Sequence, residues 1–198
     1  EIVGYADVLV FVIPSAFIHA ELEKINIDFS KKIIVSAVKG IMPESGLGIG
    51  EHFHDIYKIP FKNICVIGGP CHAEEVALER LSYLTVGCDD IEVAENVANA
   101  LRCRYIKVTV SEDLFGAEIS AILKNVYALA SGICAGIGYG DNFQAVLVSN
   151  AIQEIEKFID VIHPVHRDTK TSAYLGDLLV TAYSSFSRNR TFGFMIGK

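Results

Sequence analysis

The sequence predicts an α/β domain followed by an all-α one, on three observations. Apolar runs dense in Val and Ile alternate with amphipathic stretches over the first 110 or so residues. Those runs are continuous rather than alternating, the pattern of strands buried on both faces. After Val110 no further strand-like run occurs, and long helical stretches take over.

In order, the strand candidates are 7–14 (DVLVFVIP), 32–38 (KIIVSAV) and 63–68 (NICVIG), with weaker ones at 83–87 and 105–110. Between them 15–25, 50–57, 72–81 and 91–101 read as helices. Strands alternating with helices imply a parallel sheet with right-handed crossovers. Ser111 and Asp113 can cap a helix, so a domain boundary is expected near residue 111, with 1–110 and 111–198 as the two domains. The second holds a helix over about 114–134, a Gly-rich turn at 136–142, a helix over about 143–162 and a final polar segment.

The formal charge of −7 argues against a nucleic-acid surface, which needs clustered Lys and Arg to displace counterions. Five scattered cysteines with no Cys-x-x-Cys pair read as reduced thiols of a cytoplasmic protein. The mean hydropathy of +0.37 directs attention to the apolar stretch 114–139. It carries Glu118, Lys124 and Asn125, so a buried core helix is expected rather than a transmembrane one. The opening Glu1-Ile2-Val3-Gly4 has no basic stretch before an apolar core, so no leader is expected in this sequence.

Ligands of open parallel sheets sit beyond the carboxyl ends of strands, which draws attention to Pro14-Ser15-Ala16-Phe17, Lys39-Gly40 and Gly68-Gly69-Pro70-Cys71-His72-Ala73. Read alone, the pattern favours Pro and Gly that simply turn the chain and a Lys39 that is a solvated surface lysine. Lys124 is the stronger signal. Flanked by Ile122, Leu123, Val126 and Tyr127, it is either a snorkelling surface lysine or a buried one, and a buried ammonium exchanges its proton more readily. Asn125 adds a donor and an acceptor, and Ser120 lies one turn earlier on the same face. Ser187-Arg188-Asn189-Arg190 has the composition of a phosphate grip or of a solvated loop. Asp177 is the nearest preceding acid able to offset a buried cation. Gly136-x-Gly138-x-Gly140 follows a helix and lacks dinucleotide spacing, so a helix-to-helix turn is expected. The pairs His52/His54 and His163/His166 lack partners at ligand spacing, and no metal site is expected.

The order and spacing of these segments resemble the NAD(P)-dependent sn-glycerol-3-phosphate dehydrogenases over almost the whole chain. The resemblance is carried by ADVLVFVIPSAF at 6–17, VKG at 38–40, GGPCHAEEVA at 68–77, LKNVYALASGICAGIGYGDN at 123–142 and GDLLVTAYSSFSRNRTFG at 176–193. It implies an incomplete Rossmann-type sheet domain joined to a helical substrate domain. It implies Lys124 as proton-transfer residue, supported by Asp177. Substrate contacts then fall on Lys39, Gly69, Cys71, Lys124, Asp177, Ser187, Arg188 and Asn189, and cofactor contacts on Phe17, Lys39, Ala73 and Arg188. The implied cofactor is NAD or NADP. The implied reaction interconverts dihydroxyacetone phosphate and sn-glycerol 3-phosphate and supplies phospholipid synthesis. A homodimer is compatible with it.

Two departures stand out. The family's third strand end has Ser or Thr where this chain has Cys71, a poorer hydrogen-bonding group. Nothing corresponds to the family's opening strand and G-x-G-x-x-G turn, so the chain by itself is expected to bind NAD(P) weakly. Two alternatives stay open on the residues: another hydroxy-acid dehydrogenase of similar two-domain build, and a catalytically silent chain whose helices serve assembly.

Overall fold

The computed structural model describes residues 2–198. In order it comprises α1 (Ile2–Tyr5), β1 (Val8–Phe11), α2 (Ser15–Leu22), β2 (Ile33–Ser36), α3 (Ile49–Tyr57), β3 (Ile64–Gly68), α4 (Ala73–Ala77), β4 (Ser82–Gly87), α5 (Ile91–Leu101), β5 (Ile106–Ser111), α6 (Leu114–Gly136), α7 (Asp141–Ile162), α8 (Asp177–Tyr183) and α9 (Arg188–Gly197). A 3₁₀ turn at Phe61–Asn63 precedes β3, and a π turn at Ser172–Gly176 precedes α8.

The strands form one sheet in the order β1-β2-β3-β4-β5. β1 pairs parallel with β2, and β2 with β3. All five residues of central β3 are buried, whereas edge strand β1 alternates between exposed and half-buried positions. The expected sheet is therefore present, with one correction to its direction: β3 and β4 are antiparallel, with Val66 opposite Gly87 and Gly68 opposite Thr85. The reason lies in the connection. Residues 72–81 do not form a full helix; α4 stops at Ala77, and Glu79 turns left-handed at φ 55°. Five helical residues rise about 7.5 Å, too little to carry the chain back along the sheet for a parallel return.

By internal contacts the chain divides into two compact units. The first is Glu1–Gly68 with Thr85–Arg102 and Val108–Glu118. Its core gathers Ile18, Leu22, Ile34, Met42, Ile49, Phe53, Ile59, Ile64 and Leu114, each at most 2% exposed. Each such side chain contributes about 1.5–3 kcal/mol by burial. Helix starts here are set by specific acceptors. Asp90 accepts the amides of Glu92 and Val93 at 3.0 and 3.3 Å to begin α5, and Asp113 accepts that of Gly116 at 3.0 Å to begin α6.

The second unit is Gly69–Leu84 with Cys103–Lys107 and Ile119–Lys198. In it α7 buries Val148, Ala151, Ile155 and Ile159, a stripe at helical spacing, against Ala173, Tyr174, Leu178 and Ala182, while the buried Gln144 bonds Ser131 of α6. The polar segment expected at the end of the chain contains two helices, α8 and α9. The second of these meets α6 backbone to backbone. A Cβ at Gly193 would stand 2.1 Å from the Leu129 carbonyl oxygen, and one at Gly132 would stand 2.0 Å from that of Arg190. Gly136 and Gly197 extend the same contact by one turn on each helix, their Cβ positions falling 2.5 and 2.4 Å from carbonyl oxygens. Residue numbers rise together along this contact, so the two helices run in the same sense.

α6 is long and apolar enough to cross a membrane by length and composition. Its two charged residues are each held by groups of this chain: Glu118 accepts the Gly50 amide, and Lys124 donates to Asp177.

Candidate active site

Within the second unit, one carboxylate organises the polar groups. β3 ends at Gly68, and Gly69 follows at φ 117°, a conformation that L side chains rarely adopt. A Cβ there would also lie 2.6 Å from the Tyr83 carbonyl oxygen, so only glycine fits. The Gly69 amide donates to Asp177 Oδ2 at 3.2 Å. Asp177 Oδ1 in turn receives Lys124 Nζ at 2.5 Å. Both partners are buried, Asp177 at 2% and Lys124 at 9% exposure, so neither charge is left without its counterpart. Thr181, one turn further along α8, donates its hydroxyl to the Asp177 carbonyl at 2.6 Å and fixes that first turn.

Other polar groups on α6 and at the start of α9 belong to the same unit. Ser120 Oγ, one turn before Lys124 on α6, is buried with no hydrogen-bond partner among the described residues. Asn125 Oδ1 accepts from Asn189 Nδ2 at 2.9 Å, which ties the start of α9 to α6 beside Lys124. Ser187 Oγ accepts the Arg190 amide at 3.3 Å as the N-cap of α9, keeping its own O–H free to donate. Arg188 and Asn189 are exposed at the first turn of that helix, where the aligned peptide dipoles favour an anion. Cys71 is half-buried, and burial pushes its thiol up, with the Asp177 charge adding to the effect while a hydrogen bond with Ser82 opposes it. It stays a thiol at neutral pH.

The structure thus gathers Gly69, Cys71, Ala73, Lys124, Asp177, Ser187, Arg188 and Asn189 in the second unit, while Phe17 and Lys39 belong to the first. Ala73 is exposed at the start of α4. Phe17 is 60% exposed on α2, at the carboxyl end of β1. Lys39 lies beyond β2 and donates through Nζ to the Ile67 carbonyl. An exposed aromatic ring and a lysine beyond the carboxyl ends of parallel strands fit the ring and phosphate chemistry of a dinucleotide.

The sequence reading missed several contributors. The Asn125–Asn189 bond and the Thr181 hydroxyl on the Asp177 carbonyl carry no local sequence signal. The glycine pairs 132/136 and 193/197 carried a readable signal, their spacing of four within a helix. In the sequence Glu118 stands out only as a charge that opposes membrane insertion. It is 3% exposed, and burial pushes its carboxyl up to about 7 even though the Gly50 and Ile49 amides favour the charged form. The histidines find other roles. His52 packs edge-on against Phe53 and Tyr57, burial holding it below its ordinary value, and His54 stacks on Phe61 at 4.0 Å. No group of three His, Cys, Asp or Glu able to hold a metal occurs among the described residues.

Comparison with known proteins adds the decisive observation. Residues 1–94 match the model of the NAD-dependent glycerol-3-phosphate dehydrogenase N-terminus, and residues 113–198 match that of its C-terminus. The chain belongs to this dehydrogenase family. The glycerol-3-phosphate dehydrogenase [NAD(P)+] 2 of Lactobacillus delbrueckii is 36% identical over 97% of the chain. The chain spans 58% of that relative's length. Among solved structures, glycerol-3-phosphate dehydrogenase from Coxiella burnetii superposes with TM-score 0.86 at 26% identity, over 97% of this chain and 58% of its own. DsGPDH of Dunaliella salina gives TM-score 0.89 at 27% identity, over 98% of this chain and 34% of its own. The mostly parallel sheet followed by helices is the Rossmann-type architecture of this dehydrogenase family.

Proposed function

We propose that the protein interconverts dihydroxyacetone phosphate and sn-glycerol 3-phosphate with NAD(P), and that residues 1–110 and 111–198 divide nucleotide binding from substrate binding. The observation that carries this reading is the buried Lys124–Asp177 pair, in a chain of this family, beside a helix start bearing Arg188 and Asn189.

When bound, the nicotinamide supplies the two electrons and the hydrogen that reduce the carbonyl carbon. The chain's own residues handle the proton and the phosphate. Lys124 Nζ gives a proton to the substrate's C2 oxygen as negative charge develops there, and takes it back in the reverse direction. Asp177 is a positioning residue for that ammonium, itself fixed by the Gly69 amide. Arg188, Asn189 and the α9 N-terminus grip the phosphate, using binding energy remote from the reacting carbon to orient it. Ser187 keeps a hydroxyl hydrogen to donate, and Cys71 and Gly69 contribute from the turn after β3. Phe17, Lys39, Ala73 and Arg188 would hold the cofactor, with Lys39 also assigned to the substrate. The same reading puts the protein in the cytoplasm, feeding phospholipid synthesis as a soluble enzyme, with a homodimer as the assembly that sedimentation tests.

The experiment compares NADH oxidation by the natural gene product carrying this sequence with dihydroxyacetone phosphate and with an unphosphorylated keto acid. A strong preference for the phosphate supports the reading. Equal rates would indicate a hydroxy-acid dehydrogenase, and NADH-independent association without turnover an assembly role.

A further inference from the structure

The β3–β4 reversal has a chemical consequence at its closed-in end. The antiparallel register pairs Val66 with Gly87, so the next position along sets Cys65 opposite Cys88. The Cys88 amide is directed away from β3, donating to the Ser111 carbonyl at 3.0 Å. Cys65 and Cys88 are therefore a non-hydrogen-bonded pair of the β3–β4 ladder, in which opposed Cα atoms stand about 4.5 Å apart and side chains are closest. That separation falls within the range a disulfide spans, about 4.4–6.8 Å. Both residues are fully buried, and the Cys88 thiol donates to the Lys62 carbonyl at 3.4 Å. Neither has a role in the site around Lys124.

We propose that Cys65 and Cys88 form a reversible dithiol–disulfide pair that staples β3 to β4. The oxidant is a small disulfide such as glutathione disulfide. Cys88 reacts first, because it lies just past the end of β4 while Cys65 lies within the central strand β3. The Cys88 thiolate attacks one sulfur of glutathione disulfide, forming a mixed disulfide and releasing one glutathione thiolate, which takes up the Cys88 proton. The Cys65 sulfur then displaces the second glutathione, which takes up the Cys65 proton. Two protein thiols are oxidised, one glutathione disulfide is reduced to two thiols, and no atom is added to the protein. With both sulfurs buried, exchange needs a transient opening of the strand pair, so the pair responds slowly and holds its state.

The test equilibrates the chain in a series of glutathione redox buffers, with a parallel arm in sub-denaturing urea that allows the strands to open. Thiols are alkylated after acid quench and mapped by mass spectrometry. The proposal expects a Cys65–Cys88 linked peptide and loss of two of the five free thiols, reversed by dithiothreitol. Cys71, Cys103 and Cys134 would remain thiols or carry glutathione. The thermal midpoint of the oxidised chain should rise by about 5–10 °C. In Cys65→Ala, Cys88 should instead retain glutathione. Recovery of both Cys65 and Cys88 as alkylated thiols in both arms, at a buffer ratio that glutathionylates exposed Cys103, would overturn the proposal.

Discussion

Lys124 and Asp177 meet at 2.5 Å across 53 residues of sequence, both buried, with the second carboxylate oxygen of Asp177 held by the Gly69 amide. Breaking such a pair leaves an uncompensated buried charge, whereas replacing both members removes the problem. Asp177→Asn should therefore destabilise the fold by about 3–5 kcal/mol. The double variant Lys124→Met, Asp177→Asn should recover much of that loss while staying inactive. Urea denaturation of the single and double variants checks this; equal stability of Asp177→Asn and wild type would remove the energetic role given to the pair.

The glycine contact between α6 and α9 sets where Arg188 and Asn189 stand. A methyl at Gly193 would press within 2.1 Å of the Leu129 carbonyl oxygen, so Gly193→Ala must push the helices apart. The expected cost is about 1–3 kcal/mol of stability, the usual penalty for overpacking. Displacing the start of α9 should also raise KM for the phosphate substrate more than it lowers kcat. An unchanged KM would mean that α9 does not position the phosphate grip.

Arg188→Ala removes the cation from the α9 start without touching the buried pair. Loss of a charge-assisted contact should raise KM for dihydroxyacetone phosphate by roughly 10- to 100-fold, about 1.5–3 kcal/mol. Steady-state kinetics with inorganic phosphate as a competing ligand reads the same site independently: its inhibition should weaken in parallel.

Glu118 gives a pH signature. Its folded-state value, about 7, lies above the ordinary 4.5, so the folded state binds the proton more tightly than the unfolded chain. This contribution to stability is fully present below pH 4.5 and is lost as pH rises to about 7, a change on the order of 3 kcal/mol. Glu118→Gln keeps an acceptor for the Gly50 amide and removes the titration, so the variant should gain on wild type as pH rises through this window. Denaturant midpoints across the window test it; parallel curves for the two proteins would show that Glu118 is not the titrating group.

Much of this fold is legible in the sequence alone. The strand runs announced themselves because β2 and β3 are buried on both faces and so carry unbroken Val and Ile. Strand direction was not legible, since periodicity fixes burial and says nothing of sense; it depended on how short α4 is. The last helix read as a polar segment because its packing uses Gly193 and Gly197, while Phe192, Met195 and Ile196 stay exposed. Lys124 was conspicuous as a charge in an apolar stretch, yet its partner lies too far along the chain for spacing rules to reach. That pairing came from the family resemblance. The Asn125–Asn189 bond and the Cys65–Cys88 opposition depend on tertiary register, which single-sequence patterns do not encode.

The central claim is that Lys124 Nζ carries the proton, and one measurement addresses it most directly: NADH oxidation driven by dihydroxyacetone phosphate in wild type and in Lys124→Ala, with NADH affinity determined on the same samples. Turnover in the variant should fall by about 10²- to 10⁴-fold with the NADH dissociation constant nearly unchanged. Turnover at the wild-type rate in Lys124→Ala would contradict the account.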